Sequence, residues 1–154
     1  MARYYKGVIV KYFRMFDEVE HPTLATAGSA CVDIRAYCPN GSYIIDPGQR
    51  LLIRTGLIFD IPDGYSIRLH PRSGLSIKNG ITLINAEGVI DSDYVEEVKI
   101  PIINLGHHQF TVNHGERVCQ AELVENYIAY PQEIMEPPAR KTTRAGGFGS
   151  TGVN

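Results

Sequence analysis

Tryptophan is absent from this chain of 154 residues, and cysteine is scarce. The three cysteines, Cys31, Cys38 and Cys119, are an odd number with no C-x-x-C spacing. They read as reduced thiols in a cytosol-like compartment, not as a disulfide framework or a zinc site. Long apolar runs are missing too; the longest fall far short of the ~20 residues a spanning helix needs. Arg3, Lys6, Lys11 and Arg14 interrupt the start of the sequence, and no apolar signal region follows them. The expectation is an unsecreted, intracellular chain, cytoplasmic or nuclear. There is no excess of charge of one sign: 15 Lys and Arg face 17 Asp and Glu, a net charge of -2. The basic surplus of a general nucleic-acid binder is therefore lacking, so neither direct nucleic-acid nor membrane binding is expected. The five histidines, His21, His70, His107, His108 and His114, show no H-x-x-x-H spacing. His107-His108 reads as a solvated turn. A G-x-x-x-x-G-K-[ST] loop and a G-x-S-x-G elbow are both missing, which excludes a P-loop enzyme and argues against an esterase.

What is present is an ordinary apolar fraction, 44%, in a chain of one-domain length. It needs neither disulfides nor a metal to build a core. Turn pairs punctuate it: Asn40-Gly41, Pro47-Gly48, Asp63-Gly64, Asn79-Gly80 and His114-Gly115. Asn40-Gly41-Ser42 matches a glycosylation acceptor pattern, but without a secretory signal it reads as a turn. Short runs rich in Ile, Val, Leu and Tyr lie between the turns, most clearly at 4–13, 50–60, 65–69, 81–84, 97–103 and 117–124. At period two, Val8, Val10 and Tyr12 share one strand face and Val98, Ile100 and Ile102 another. A helical turn or two fits 73–79. Many short strands with Gly and Pro turns predict an all-β sandwich or barrel. The composition changes at Pro137-Pro138. The predicted division is a β-sandwich core over 1–136 and a flexible arm over 137–154, too poor in apolar surface to order itself.

Five segments carry chemistry, each with a bland alternative beside it. In the arm, Gly146-Gly147-Phe148-Gly149-Ser150-Thr151-Gly152 brings together backbone N–H donors, two hydroxyls and one ring, with Lys141 and Arg144 nearby. Such a set suits a polyphosphate and a flat base; otherwise it is a Gly-rich tail. Pro71-Arg72-Ser73-Gly74-Leu75 offers a guanidinium fork, a hydroxyl and open backbone, or is a solvated surface turn. Asn85 to Tyr94 includes Gly88, marking a hairpin or tight bend, and the pair Asp91 and Asp93. One of these carboxylates can act as a general base, or the pair caps its own turn through Asx hydrogen bonds. Ala27 to Ile34 and Gly115 to Gln120 each set one polar residue, Asp33 or Gln120, within an apolar strand. If buried, these side chains need a partner: metal-bound water or a structural hydrogen bond.

The order and spacing of these five segments resemble the five motifs of the trimeric deoxyuridine triphosphatase (dUTPase) family, over about 27–152. The resemblance implies a jelly-roll-like β-sandwich, the dUTPase-like β-clip, with a flexible C-terminal arm. It implies a homotrimer in which the arm closes over a neighbouring subunit's active site. The implied reaction is Mg²⁺-dependent hydrolysis of dUTP to dUMP and pyrophosphate, which keeps uracil out of DNA and supplies dUMP for thymidylate synthesis. On this resemblance Asp91 is the general base that activates water for attack on the α-phosphate. Asn85 and the backbone of Gly88, Val89 and Ile90 read uracil, and Tyr94 underlies the deoxyribose. Arg72, Ser73, Gly74 and Gln120 contact the phosphates. Asp33 and Gln120 hold waters on the metal. Phe148 stacks on uracil, while Arg144, Gly149, Ser150, Thr151 and Gly152 meet the γ-phosphate end.

Two positions depart from the family pattern. Glu96 stands where Gly is usual, two residues after Tyr94, and Arg144 is four rather than five residues before Phe148, with Thr143 in the usual place. The alternatives are a dCTP deaminase, or bifunctional deaminase–triphosphatase, and a nucleotide-dependent regulatory binding protein on the same fold. The deaminase uses a Glu where this chain has Pro101, which can neither relay protons nor activate water. Lacking an N–H, Pro101 is also expected at a strand edge or bulge.

Overall fold

In the computed structural model residues 7–143 are described. The alternating pattern of Lys99–Asn104 explains the architecture best. Ile100, Ile102 and Asn104 point inward and are essentially unexposed, while the residues between them face outward. This strand, β10, lies at the centre of a three-stranded sheet between β5 (Arg50–Arg54) and β8 (Ile81–Leu83). Ile100 sits opposite Ile53, so two of the most buried side chains meet across the ladder. A five-stranded antiparallel sheet packs over the same core. Its order is β2 (Thr23–Leu24), β3 (Val32–Arg35), β12 (Arg117–Glu125), β7 (Tyr65–Pro71) and β9 (Gly88–Ile90). Two-stranded pairs complete the shell: β1 (Lys11–Arg14) with β6 (Leu57–Asp60), and β4 (Ser42–Ile45) with β11 (Phe110–Asn113). The result is the predicted all-β, jelly-roll-like sandwich, with Ile34, Ile45, Leu57 and Val112 filling its centre. Burying each such side chain contributes roughly 1.5–3 kcal/mol.

The single helix described, α1 (Ser73–Asn79), falls where a helical turn or two was predicted. It stops at Gly80, whose left-handed backbone (φ 71°) donates its N–H to Ser76 and Leu75 carbonyls. Gly80 also presses against the backbone of Gly106, which leaves no room for a Cβ.

Three expectations are modified. The run 50–60 is two strands, because Gly56 takes a positive φ of 66° and turns the chain. The bend is satisfied locally: Thr55 Oγ1 donates to the Val98 carbonyl at 2.6 Å, and Gly56 N–H donates to Glu97 at 2.9 Å. Within 4–13, strand geometry begins only at Lys11 among the described residues, although Val8, Val10 and Tyr12 do line one groove together. Pro101 is not on an edge strand. It lies in central β10, where its carbonyl accepts from Ile84 N–H at 3.0 Å, just past the end of β8. Its missing N–H points to that same side, so this ladder position keeps only the bond from Ile84. β12 ends at Glu125, and 127–143 carries neither strand nor helix, with Tyr127, Tyr130, Ile134 and Met135 exposed.

Candidate active site

The chain from Ile81 to Ile90 leaves one sheet and enters the other. β8 pairs with β10, whereas β9 pairs with β7, so of the two predicted forms, hairpin or tight bend, the structure takes the bend. Asn85 sits at this corner, exposed. Gly88 follows, opposite Leu69; a Cβ there would lie 3.3 Å from the Leu69 side chain and 3.4 Å from Asn85 Nδ2. A side chain there would press on Leu69 and push the crossing chain away from β7 by a few tenths of an ångström.

The crossing opens a pocket of about 400 Å³ between the sheets. Asn85, Gly88, Val89, Ile90, Asp91 and Tyr94 line it, all drawn from one predicted site segment. Leu52, Leu69, Val98, Lys99 and Pro101 form the opposite wall and were not predicted as site residues. They look like ordinary strand positions in sequence, and only the sheet pairing brings them here. Asp91 is exposed at the pocket, and its carbonyl accepts from Tyr94 N–H at 3.1 Å, closing a turn that sets both side chains on the pocket. The Tyr94 hydroxyl donates to the Glu97 carbonyl at 3.1 Å. Glu97 anchors this loop: buried, it accepts from Arg54 Nε at 3.1 Å and from Gly56 N–H. Arg54 in turn lies over the Phe16 and Tyr37 rings, 5.4 and 5.3 Å from their centroids. Glu96, the residue at variance with the family pattern, is exposed at a bend beside this anchor.

The remaining described site residues gather elsewhere. Asp33, Gln120 and His70 form one row across β3, β12 and β7, on the face away from the core. Asp33 is buried at 3% exposure, with Arg117 at 3.1 Å from Oδ2 and Arg72 Nε at 3.7 Å from Oδ1. Arg72 also donates to the Arg117 carbonyl at 3.1 Å. Ser73 and Gly74 follow, exposed at the start of α1. Arg72 and Arg117 line a second cavity, of about 380 Å³, that shares no wall residue with the first. Asp33 Oδ1 is buried without a hydrogen-bond partner. That carboxylate oxygen, ion-paired with Arg72 but accepting no hydrogen bond, and the Gln120 side chain from the opposite ladder position offer hard oxygen donors. They fit Mg²⁺ held through waters rather than in a protein cage. The neighbouring Cys119 thiol is pushed well above its ordinary range, by burial first and then by Asp33, with Arg72 opposing. It is inert packing, not a nucleophile. Arg144, Phe148, Gly149, Ser150, Thr151 and Gly152 lie outside the described residues.

Comparison with known proteins decides what these features belong to. A family model for dUTPase matches residues 17–152. The chain belongs to the dUTPase family. A deoxyuridine 5'-triphosphate nucleotidohydrolase of Finegoldia magna is 47% identical over 133 residues, covering 85% of this chain and 90% of the relative. One of Brucella melitensis is 46% identical over 134 residues, covering 86% and 84%. Among solved structures, a Staphylococcus bacteriophage 80alpha dUTPase with dUpNHpp superposes with a TM-score of 0.83 at 20% identity, over 94% of this chain and 99% of the other. The dUTPase of phage phi11 of S. aureus, described with a structural Mg(II) ion, gives 0.75 at 19%, over 84% and 98%. At these identities the structural matches speak for the shared dUTPase fold.

Proposed function

We propose that this chain hydrolyses dUTP to dUMP and pyrophosphate, with Asp91 as the general base. The observation that carries the reading is the pocket itself, where Asp91, Asn85, Tyr94 and the Gly88–Ile90 backbone converge. Asp91 takes a proton from a water as its oxygen bonds to the α-phosphorus. The bond from that phosphorus to the bridging oxygen breaks, and pyrophosphate leaves with the electron pair. Asn85 and the β9 backbone meet the polar edge of uracil. Cytosine would leave those donors and acceptors unpaired, at about 1–3 kcal/mol each. The close packing of Gly88 on Leu69 makes this wall stiff, which disfavours the extra methyl of thymine. Tyr94, tethered through its hydroxyl, forms a floor that a 2′-hydroxyl would meet. Pro101 in the pocket wall supports hydrolysis over deamination, because it offers no group to relay a proton.

The phosphate end falls to Arg72, Ser73, Gly74 and Gln120, whose charge and hydroxyl suit phosphoryl oxygens. Asp33 and Gln120 would hold waters of Mg²⁺, which when bound neutralises phosphate charge. The pocket and the charged cavity share no wall within one chain, which is compatible with the homotrimer that the family resemblance implies, the pocket of one subunit meeting the charged end of another. The arm, with Arg144, Phe148, Gly149, Ser150, Thr151 and Gly152, closes over a neighbour's site and excludes water. Asp91→Asn should lower kcat about 10²–10⁴-fold while dUTP still binds. Turnover within threefold of the parent chain would remove Asp91 from the role of base.

A further inference from the structure

We propose that Cys31, His70 and Glu122 form a binding site for a borderline-soft divalent cation, best matched by Zn²⁺, on the outer face of the five-stranded sheet. One sulfur, one imidazole nitrogen and one carboxylate oxygen lie within 4.8 Å of one another there. They come from three neighbouring strands: Cys31 directly precedes β3, Glu122 is on β12, and His70 is on β7. The register explains the meeting. Gln120 lies opposite both Asp33 and His70, and Ala121 opposite Val32, so Cys31 and Glu122 occupy the next outward-facing row. No loop has to close, because the sheet itself sets the positions.

The donor set is selective. Zn²⁺ takes sulfur at ~2.3 Å, imidazole nitrogen at ~2.0–2.1 Å and carboxylate oxygen at ~2.0–2.2 Å, in tetrahedral geometry. Glu122 Oε2 and His70 Nε2 are already 3.1 Å apart, as two ligands on one ion would be. A thiolate disfavours Mg²⁺, which seeks oxygen. The second nitrogen, His70 Nδ1, faces Glu87 Oε1 at 3.7 Å, and Glu87 Oε2 meets Arg68 at 3.5 Å. A carboxylate hydrogen-bonded behind a ligating histidine orients the ring and raises its basicity; Glu87 lies on that side of the ring but beyond hydrogen-bond distance. The three side chains leave a fourth position for water. Binding forms the sulfur–metal bond as the Cys31 proton passes to solvent, so metal uptake releases a proton. The site borders the oxygen donors of Asp33 and Gln120: His70 shares their row, while Cys31 and Glu122 stand in the next.

The test uses the untagged full chain and does not read activity. Zn²⁺ is added, excess is removed by dialysis against Mg²⁺, and bound metal is measured by atomic emission. Co²⁺ then serves as a spectroscopic probe, with circular dichroism confirming the fold of each variant. About one Zn²⁺ per chain is expected, and a thiolate-to-cobalt charge-transfer band in the parent chain. Cys31→Ser should abolish the band, and Cys31→Ser, His70→Gln and Glu122→Gln should each weaken Zn²⁺ binding at least tenfold. Cys38→Ser should leave both unchanged. A parent chain without the charge-transfer band, or Zn²⁺ content unaffected by Cys31→Ser and His70→Gln together, would overturn the site. Because the parent band is decisive by itself, a variant that folds poorly does not protect the proposal.

Discussion

The pocket at the β8–β9 crossing is walled by Leu52, Leu69, Val98 and Pro101, with its one carboxylate, Asp91, exposed and away from any ion pair among the described residues. The charged end is built the other way. Asp33 is buried and held between Arg72 and Arg117, so its charge is matched before any ligand arrives. The first region offers shape and hydrogen-bonding edges; the second offers a balanced charge cluster whose arginines can turn to phosphate. The exposed carboxylate suits the proposed role of proton acceptor, and the ion-paired one suits the proposed role of positioning group. The two regions share strand β7 but no cavity wall, which leaves a single chain with two half-sites.

The largest expected effect tests that division. Asp91→Asn would spoil the pocket half and Arg72→Ala the charged half, and each variant alone should be nearly inactive. Unfolded together and refolded, the two should recover roughly a quarter of parental turnover, since random mixing pairs intact halves at that rate across subunits. A mixture as inactive as its components would place both halves of a site in one chain. Next is the loop anchor. Glu97→Ala should cost about 3 kcal/mol in denaturant unfolding, because Arg54 and the Gly56 N–H lose their buried partner. It should also raise KM for dUTP, since the loop that carries Tyr94 loses its tie to Arg54 and Gly56, although the carbonyl that holds the Tyr94 hydroxyl remains.

Asn85→Ala probes the pocket's edge. The ratio of kcat/KM for dUTP over dCTP should fall about 5–150-fold, the equivalent of one lost polar contact of ~1–3 kcal/mol. The smallest effect concerns pH. Burial raises Cys119 in the folded chain, so the folded state keeps its proton where the unfolded state loses it. Stability should be level below about pH 8.5 and fall above it, by up to ~1.4 kcal/mol per pH unit for that thiol. Cys119→Ala should flatten the slope measured by urea unfolding between pH 8 and 10, while lowering stability at neutral pH.

Much of this was legible because the chemistry is local. Asn85 to Tyr94 is one continuous segment: residue types marked a bend at Gly88 and a candidate base among Asp91 and Asp93, while Asn85, Val89, Ile90 and Tyr94 entered through the family resemblance. Period-two patterning in Ile100 and Ile102 gave away a strand, and Ser73–Asn79 an isolated helix. What sequence reasoning missed arises from pairing at a distance. Leu52 and Pro101 reach the pocket through the β5–β10 register. Cys31, His70 and Glu122 lie far apart in sequence and show no ligand spacing; three strands align them. β4 and β11 were overlooked because each has only four residues: Phe110 and Val112 do alternate with Thr111 and Asn113, but over too short a run to stand out. The split at Gly56 was hidden because Thr55 and Gly56 interrupt a run that otherwise looks like one strand.

In the proposed reaction the crossing between the sheets reads uracil while Asp91 draws the proton from water. Pyrophosphate release from dUTP, dCTP, dTTP and UTP, with and without Mg²⁺, tests it most directly. Mg²⁺-dependent release from dUTP, at least a hundredfold above the other three in kcat/KM, is the expected result. Equal release from dUTP and dTTP, or ammonia released from dCTP, would contradict it.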